Sequence, residues 1–121
     1  MIRAGVLILL LGACATRSAA DDPLAGRVAG RPVTCIPLSR NIAPQIVDAN
    51  TILYRENGRR VWRTGPRGVC PALRPLNTLI VEVYNAQLCR NDRFRVLEPN
   101  AGIPSGTCLF DSFTPYDLPE G

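Results

Sequence analysis

Thr51–Arg63 reads TILYRENGRRVWR. Two runs rich in β-branched and aromatic residues, Thr51–Arg55 and Arg60–Arg63, flank Asn57-Gly58. Asparagine followed by glycine tolerates the backbone a tight reversal needs, so the segment predicts a β-hairpin.

Similar short runs recur on either side, at Val33–Leu38, Gln45–Val47, Thr78–Tyr84, Phe94–Leu97 and Thr107–Phe110. Asp48-Ala49-Asn50 supplies a further turn between two of them. Prolines at positions 37, 44, 66, 71, 75, 99, 104 and 115 interrupt every window long enough for a good helix, because proline lacks an amide donor and clashes with the preceding turn. At most one helical turn fits, near Pro71–Leu76. About seven short strands at this spacing predict an all-β domain, a small sandwich or barrel, over residues 32–117. A chain of 121 residues supports one such domain with a modest core. No internal repeat or low-complexity tract is visible.

The N-terminal segment is different in kind. Residues 1–14 read MIRAGVLILLLGAC, one cation followed by an unbroken small or apolar run from Ala4 to Ala13. The run is shorter than the roughly 20 residues a bilayer span needs, and it suits a signal-peptide core. It ends in Leu11-Gly12-Ala13-Cys14, which resembles the bacterial lipobox. There a thiol receives diacylglyceryl and the chain is cut just before it, reactions that require narrow neighbours such as Gly12 and Ala13. The expectation is a signal peptide over residues 1–13 and a lipidated Cys14 carrying acyl chains of the palmitate kind. Several acyl chains anchor a protein stably, each buried methylene contributing about 0.8 kcal/mol. Two alternatives remain: ordinary cleavage after Ser18-Ala19-Ala20, and retention of an uncut anchor. Residues 15–31 (ATRSAADDPLAGRVAGR) show no strand or helix period. With Cys14 they read as a flexible tether, with a root-mean-square span of about 20–25 Å. Ala15 after the lipid site, in place of Asp, favours the outer membrane of a Gram-negative envelope.

With Cys14 assigned to lipid, Cys35, Cys70, Cys89 and Cys108 remain. An even number in an exported chain implies two structural disulfides, although three connectivities are open. The absence of a C-x-x-C pair speaks against a zinc knuckle or a thioredoxin-like centre. No metal or other cofactor is expected.

All fourteen basic residues are Arg, the chain has no Lys or His, and the net charge is +4. Codon bias in a GC-rich genome explains arginine without lysine. The mild charge lacks the dense basic run or aromatic platform of a nucleic-acid binder. Without His or Lys, the Ser-His-Asp, Cys-His and Ser-Lys constellations, Schiff-base chemistry and the phosphate-loop lysine are all closed. A two-carboxylate hydrolase using Glu82, Asp92, Glu98 or Asp111 is the residual enzymatic option. Asp92 reads more simply as fixing a turn after Cys89, and Glu82 as a solvent-facing strand residue paired with an arginine.

The hairpin concentrates charge in Arg55, Arg59, Arg60 and Arg63, with Trp62 among them. Guanidinium forks bind phosphate and carboxylate in bidentate fashion, so these four are a candidate anion-binding face. The simpler account is a solvated hairpin whose arginine stems cover apolar neighbours, with Arg59 or Arg60 paired to Glu56 and Trp62 in the core. Register, and hence which arginines share a face, is open at this point.

Several of these segments form a familiar ordered set: Cys35-Ile36-Pro37-Leu38, Val47-Asp48 before Thr51–Arg55, Cys70-Pro71-Ala72-Leu73, Leu88-Cys89-Arg90-Asn91-Asp92, and Cys108-Leu109 followed by Phe113-Thr114-Pro115-Tyr116. From Val33 to Tyr116 the chain resembles a bacterial family of small exported four-cysteine domains of unknown function, often lipoproteins. Ala72 and Leu109-Phe110 stand where such relatives often have glycine. The resemblance implies no activity, substrate or catalytic residue. Relatives that keep only the equivalents of Cys70 and Cys108 imply the pairs Cys70–Cys108 and Cys35–Cys89. The functional expectation is therefore a lipid-anchored, periplasm-facing envelope protein that binds or scaffolds an envelope protein or an anionic ligand without catalysis.

Overall fold

The computed structural model describes residues 5–6, 22–38 and 43–120. Cys14, most of the apolar run before it and the two cleavage sites lie outside the described residues. The described fold is all-β: ten short strands in three antiparallel sheets, sandwich-like and without barrel closure.

The largest sheet is built on the hairpin. Strand β4 (Thr51–Arg55) pairs with β5 (Arg60–Thr64), setting Leu53 opposite Arg63 and Tyr54 opposite Trp62. β3 (Pro44–Asp48) adds outside β4, with a bulge between Ile46 and Asp48. On the other side come β10 (Thr114–Asp117) and β1 (Val28–Ala29), giving the order β1-β10-β5-β4-β3. A second sheet joins β6 (Thr78–Val81), β8 (Arg93–Leu97) and β9 (Cys108–Leu109) in that order. β2 (Cys35–Pro37) and β7 (Gln87–Cys89) form a two-stranded ribbon. Single bridges, Val33 to Phe113 and Pro66 to Phe110, stitch these pieces together.

The core lies where alternate side chains of the sheets converge. Ile52, Tyr54 and Trp62 from the hairpin meet Ile36, Leu88, Phe94, Val96, Phe110 and Phe113. The Phe94 and Phe110 ring centroids are 4.4 Å apart, and Phe110 and Phe113 are 5.9 Å apart. Leu53 and Val61 are buried too, but on the opposite face of the large sheet. This explains why Thr51-Ile52-Leu53-Tyr54 is buried without a break: a strand covered on both faces loses the alternation of a half-exposed one.

Two disulfides tie the periphery to this core. Cys35–Cys89 joins directly opposed residues of β2 and β7, and Cys70–Cys108 fastens the loop before β6 to β9. Of the three connectivities open to four cysteines, the fold adopts this one.

Several sequence expectations need correction. Strand pairing starts at Val28, inside the stretch read as tether, and turns precede it from Asp22 (Ala25 N to Asp22 O, 3.0 Å). A two-residue strand among small residues leaves no periodic signal. β7 and β10 lie outside the seven expected runs; β10 contains Pro115, which lacks the amide donor a strand ladder uses. In place, Pro115 costs nothing, because its carbonyl accepts from Gly30 N (2.7 Å) and its nitrogen faces the short β1 rather than β5. Pro71–Leu76 forms two successive turns, Leu73 N to Cys70 O and Asn77 N to Arg74 O, instead of a helical turn. Between β4 and β5 the hairpin loop has four residues, Glu56–Arg59, and Gly58 does not adopt a left-handed backbone.

Candidate functional site

The loop at the hairpin tip is held by a side chain. Asn57 Oδ1 accepts from the amides of Arg59 (2.8 Å) and Arg60 (3.0 Å), while Glu56 N donates to Arg60 O (3.1 Å). Asparagine thereby replaces a backbone acceptor and widens the turn beyond two residues. Arg27, just before β1, reaches the same tip. Its Nη1 donates to Arg59 O (2.8 Å) and Tyr116 O (3.3 Å), and its Nη2 to Gly58 O (3.3 Å). One guanidinium therefore ties the hairpin tip to β10 through three backbone carbonyls. Nothing in the sequence singles out Arg27, whose partners lie 31 to 89 residues away.

The register divides the four candidate arginines. Arg60 lies on the core-side face with Trp62, its Cζ 5.2 Å from the indole centroid, and clasps Asp117 with both forks: Nε to Oδ1 at 2.7 Å and Nη2 to Oδ2 at 2.8 Å. This hydrogen bond from Arg60 holds the Asp117 carboxyl below its ordinary range and raises the guanidinium in turn. Arg59 sits at the exposed tip. Arg55 and Arg63 project from the opposite face, in register beside Val61 and Leu53; Arg63 Nη2 lies 3.5 Å from Thr51 Oγ1. The four do not form one cluster. An expected Arg–Glu56 pair is not made either, since Arg60 takes Asp117 instead.

Two grooves border this sheet. One, of about 420 Å3, opens at the hairpin tip, where Arg59 and Arg60 face Glu56, Asp117 and Glu120. The carboxylates there outnumber the cations, so the groove has no net pull on an anion. The other, of about 350 Å3, lies at the far end of the sheet and places Arg63 near Asn50, Ser112, Thr114 and Asp111. Gly65 in its wall has no room for a side chain: a Cβ there would overlap the Asn50 carbonyl oxygen.

The candidate carboxylates are dispersed. Asp92 Oδ2 accepts from Cys89 N (2.7 Å), fixing the turn after Cys89. Asp111 is lowered first by the Ser112 amide and then by Arg90, whose Nε is 3.2 Å away. Glu82 makes no ion pair among the described residues; it accepts from the Tyr84 hydroxyl at 3.3 Å. Glu98 is exposed. Trp62 is in the core, and its Nε1 is buried without a hydrogen-bond acceptor. Burial also pushes the Tyr54 phenol well up. Among the described residues no group of three or more His, Cys, Asp or Glu is placed to hold a metal ion. The chain matches no family model, no curated protein and no solved structure.

Proposed function

We propose that this chain is a lipid-tethered module of the bacterial cell envelope, a non-enzymatic binding or scaffolding domain anchored by acyl chains on Cys14 and facing the periplasm. Its membrane is the outer one, the location that Ala15 favours. The observation that carries the reading is the use of the cysteines. Two disulfides take up Cys35, Cys70, Cys89 and Cys108, four of the five present. Lipidation of Cys14 therefore removes no cysteine from the fold, and bridges of this kind belong to an oxidising compartment. Leu11-Gly12-Ala13 before Cys14 and the resemblance to small exported four-cysteine domains support the same location. A chain without His or Lys, whose carboxylates are engaged separately, favours recognition over catalysis.

Replacing Cys14 with Ser tests the anchor, since serine cannot form the thioether. The variant should accumulate uncut or appear in the soluble envelope fraction; a processed, membrane-bound Cys14→Ser protein would sink the reading.

A second reading, recognition of an anionic envelope ligand, is favoured by one observation: Arg55 and Arg63 share the sheet face away from the core. Arg55→Gln with Arg63→Gln should then abolish retention of anionic vesicles or phosphate while the protein still folds. Unchanged retention would dismiss it.

A further inference from the structure

Sheet edges are templates for pairing with another chain, and natural domains blunt them with prolines, bulges, charges or brevity. Among the described strands, every edge but one is blunted in this way. β3 starts at Pro44 and carries a bulge. β1 and β9 are two residues long, and β2 and β7 three, with Pro37 closing β2. β6 is the exception. From Thr78 to Tyr84 the chain reads TLIVEVY, without proline, glycine or a basic residue, and Glu82 is its one charge. The pairing with β8 extends past Val81, because Glu82 N donates to Arg93 O at 3.2 Å.

The alternation of an antiparallel ladder then settles which groups are unused. Thr78, Ile80 and Glu82 direct their amides and carbonyls at β8. Those of Leu79, Val81 and Val83 point outward, and no described strand takes them up. Large apolar side chains line this edge in the open: Ile80 is 39% exposed, Val83 47% and Tyr84 63%. On the sheet face away from the core, Ile80 stands opposite Arg95 and Glu82 next to Arg93. Arg93 and Arg95 make no ion pair among the described residues.

We propose that this edge docks a second copy of the chain, the two β6 strands pairing antiparallel about a two-fold axis at Val81. That register sets Val81 against its counterpart, Leu79 against Val83, Ile80 against Glu82, and Thr78 against Tyr84. Every outward amide and carbonyl of Leu79, Val81 and Val83 then meets its complement. Across the joined sheet, each outer row runs Arg95, Ile80, the second copy's Glu82 and its Arg93, so each carboxylate has its own chain's Arg93 on one side and, on the other, Ile80 with the long Arg95 side chain beyond it. Exposed Val83 comes to rest beside Leu79, which already packs on the core. A one-residue slip would put side chains on the wrong faces, and a two-residue slip leaves Val83 opposite Asn77. Self-pairing at one register thus satisfies backbone, charge and apolar surface together, and the contact is isologous, as a two-fold dimer requires.

Sedimentation velocity of the full chain, density-matched in detergent where the lipid is attached, tests this from low micromolar to several hundred micromolar. The protein should pass from monomer to dimer. Val83→Lys and Glu82→Arg should each raise the midpoint concentration roughly tenfold or more. Adding Arg93→Glu and Arg95→Glu to Glu82→Arg should restore it. Should Val83→Lys fail to fold, hydrogen exchange of the unaltered protein reads the same contact: the amides of Leu79, Val81 and Val83 gain protection with concentration. A monomer at every concentration overturns the proposal, as does a folded Val83→Lys dimer with an unchanged midpoint. Concentration-independent exchange at these three amides, or an edge filled only by another protein, equally overturns it.

Discussion

Removing the Cys70–Cys108 bridge with paired alanines should cost this domain a large part of its stability. The cross-link spans a sequence separation of 38 residues. On the chain-entropy relation, closing such a loop in the unfolded ensemble accounts for about 3.9 kcal/mol at 25 °C. The two bridges enclose overlapping segments, so the surviving Cys35–Cys89 link shortens the effective loop and trims that figure slightly. Cys70 also sits in the core at 3% exposure, and alanine leaves a small void there, adding about 1 kcal/mol. The total, about 4–5 kcal/mol, is to be compared with roughly 5–12 kcal/mol for a domain of this size. Urea unfolding followed by Trp62 emission measures it directly, because Trp62 is the one tryptophan in the chain and is 6% exposed when folded. With a slope of about 1.5 kcal/mol/M, the midpoint should fall by about 3 M. A shift below about 0.5 M would mean that neither the loop entropy nor the packing at Cys70 stabilises the fold.

Gly65→Ala forces a methyl into the Asn50 carbonyl and should lose at least about 2 kcal/mol in the same titration. Ala86 holds a left-handed backbone at φ 56° in the turn after Tyr84, so Ala86→Gly should gain about 0.5–1 kcal/mol by relieving that conformation. Asp117 has its folded pKa depressed by the Arg60 hydrogen bond. The stability it contributes is present above the unfolded value of about 3.9 and lost as pH falls through the lower folded value. The pair is about two-fifths exposed, so the effect is under about 1 kcal/mol. A pH series of urea midpoints should show a larger acid-side loss in the parent protein than in Asp117→Asn, where the lowered Asp111 still contributes.

The hairpin was legible because its information is local. β-branched runs and an Asn-Gly turn lie within thirteen consecutive residues, and the fold places them as the central pair of the largest sheet. The all-β class followed from the prolines, which exclude helix wherever they fall. What the sequence hid is non-local. Pro115 reads as a breaker until the partner on each side of β10 is known, and only then does its missing donor prove harmless. Val28 and Ala29 carry no pattern, and their strand exists because β10 offers an edge. The arginine hairpin shows the same limit more sharply. Side chains one residue apart in a strand face opposite ways, so Arg60 and Arg63 must part, but which of them shares a face with Arg55 was settled only once Val61 was set opposite Arg55. The partner that settles Arg60, Asp117, lies 57 residues away, beyond any local rule. Glu56, the local candidate, is left out because the fold brings a better-placed carboxylate.

Intact-mass spectrometry of the protein purified from its native envelope decides whether Cys14 carries the anchor. The mature chain should start at Cys14 and carry the added mass of diacylglyceryl and an amide-linked acyl group. An unacylated chain starting at Asp21, or one that retains Met1–Ala13 uncut, would rule the anchor out.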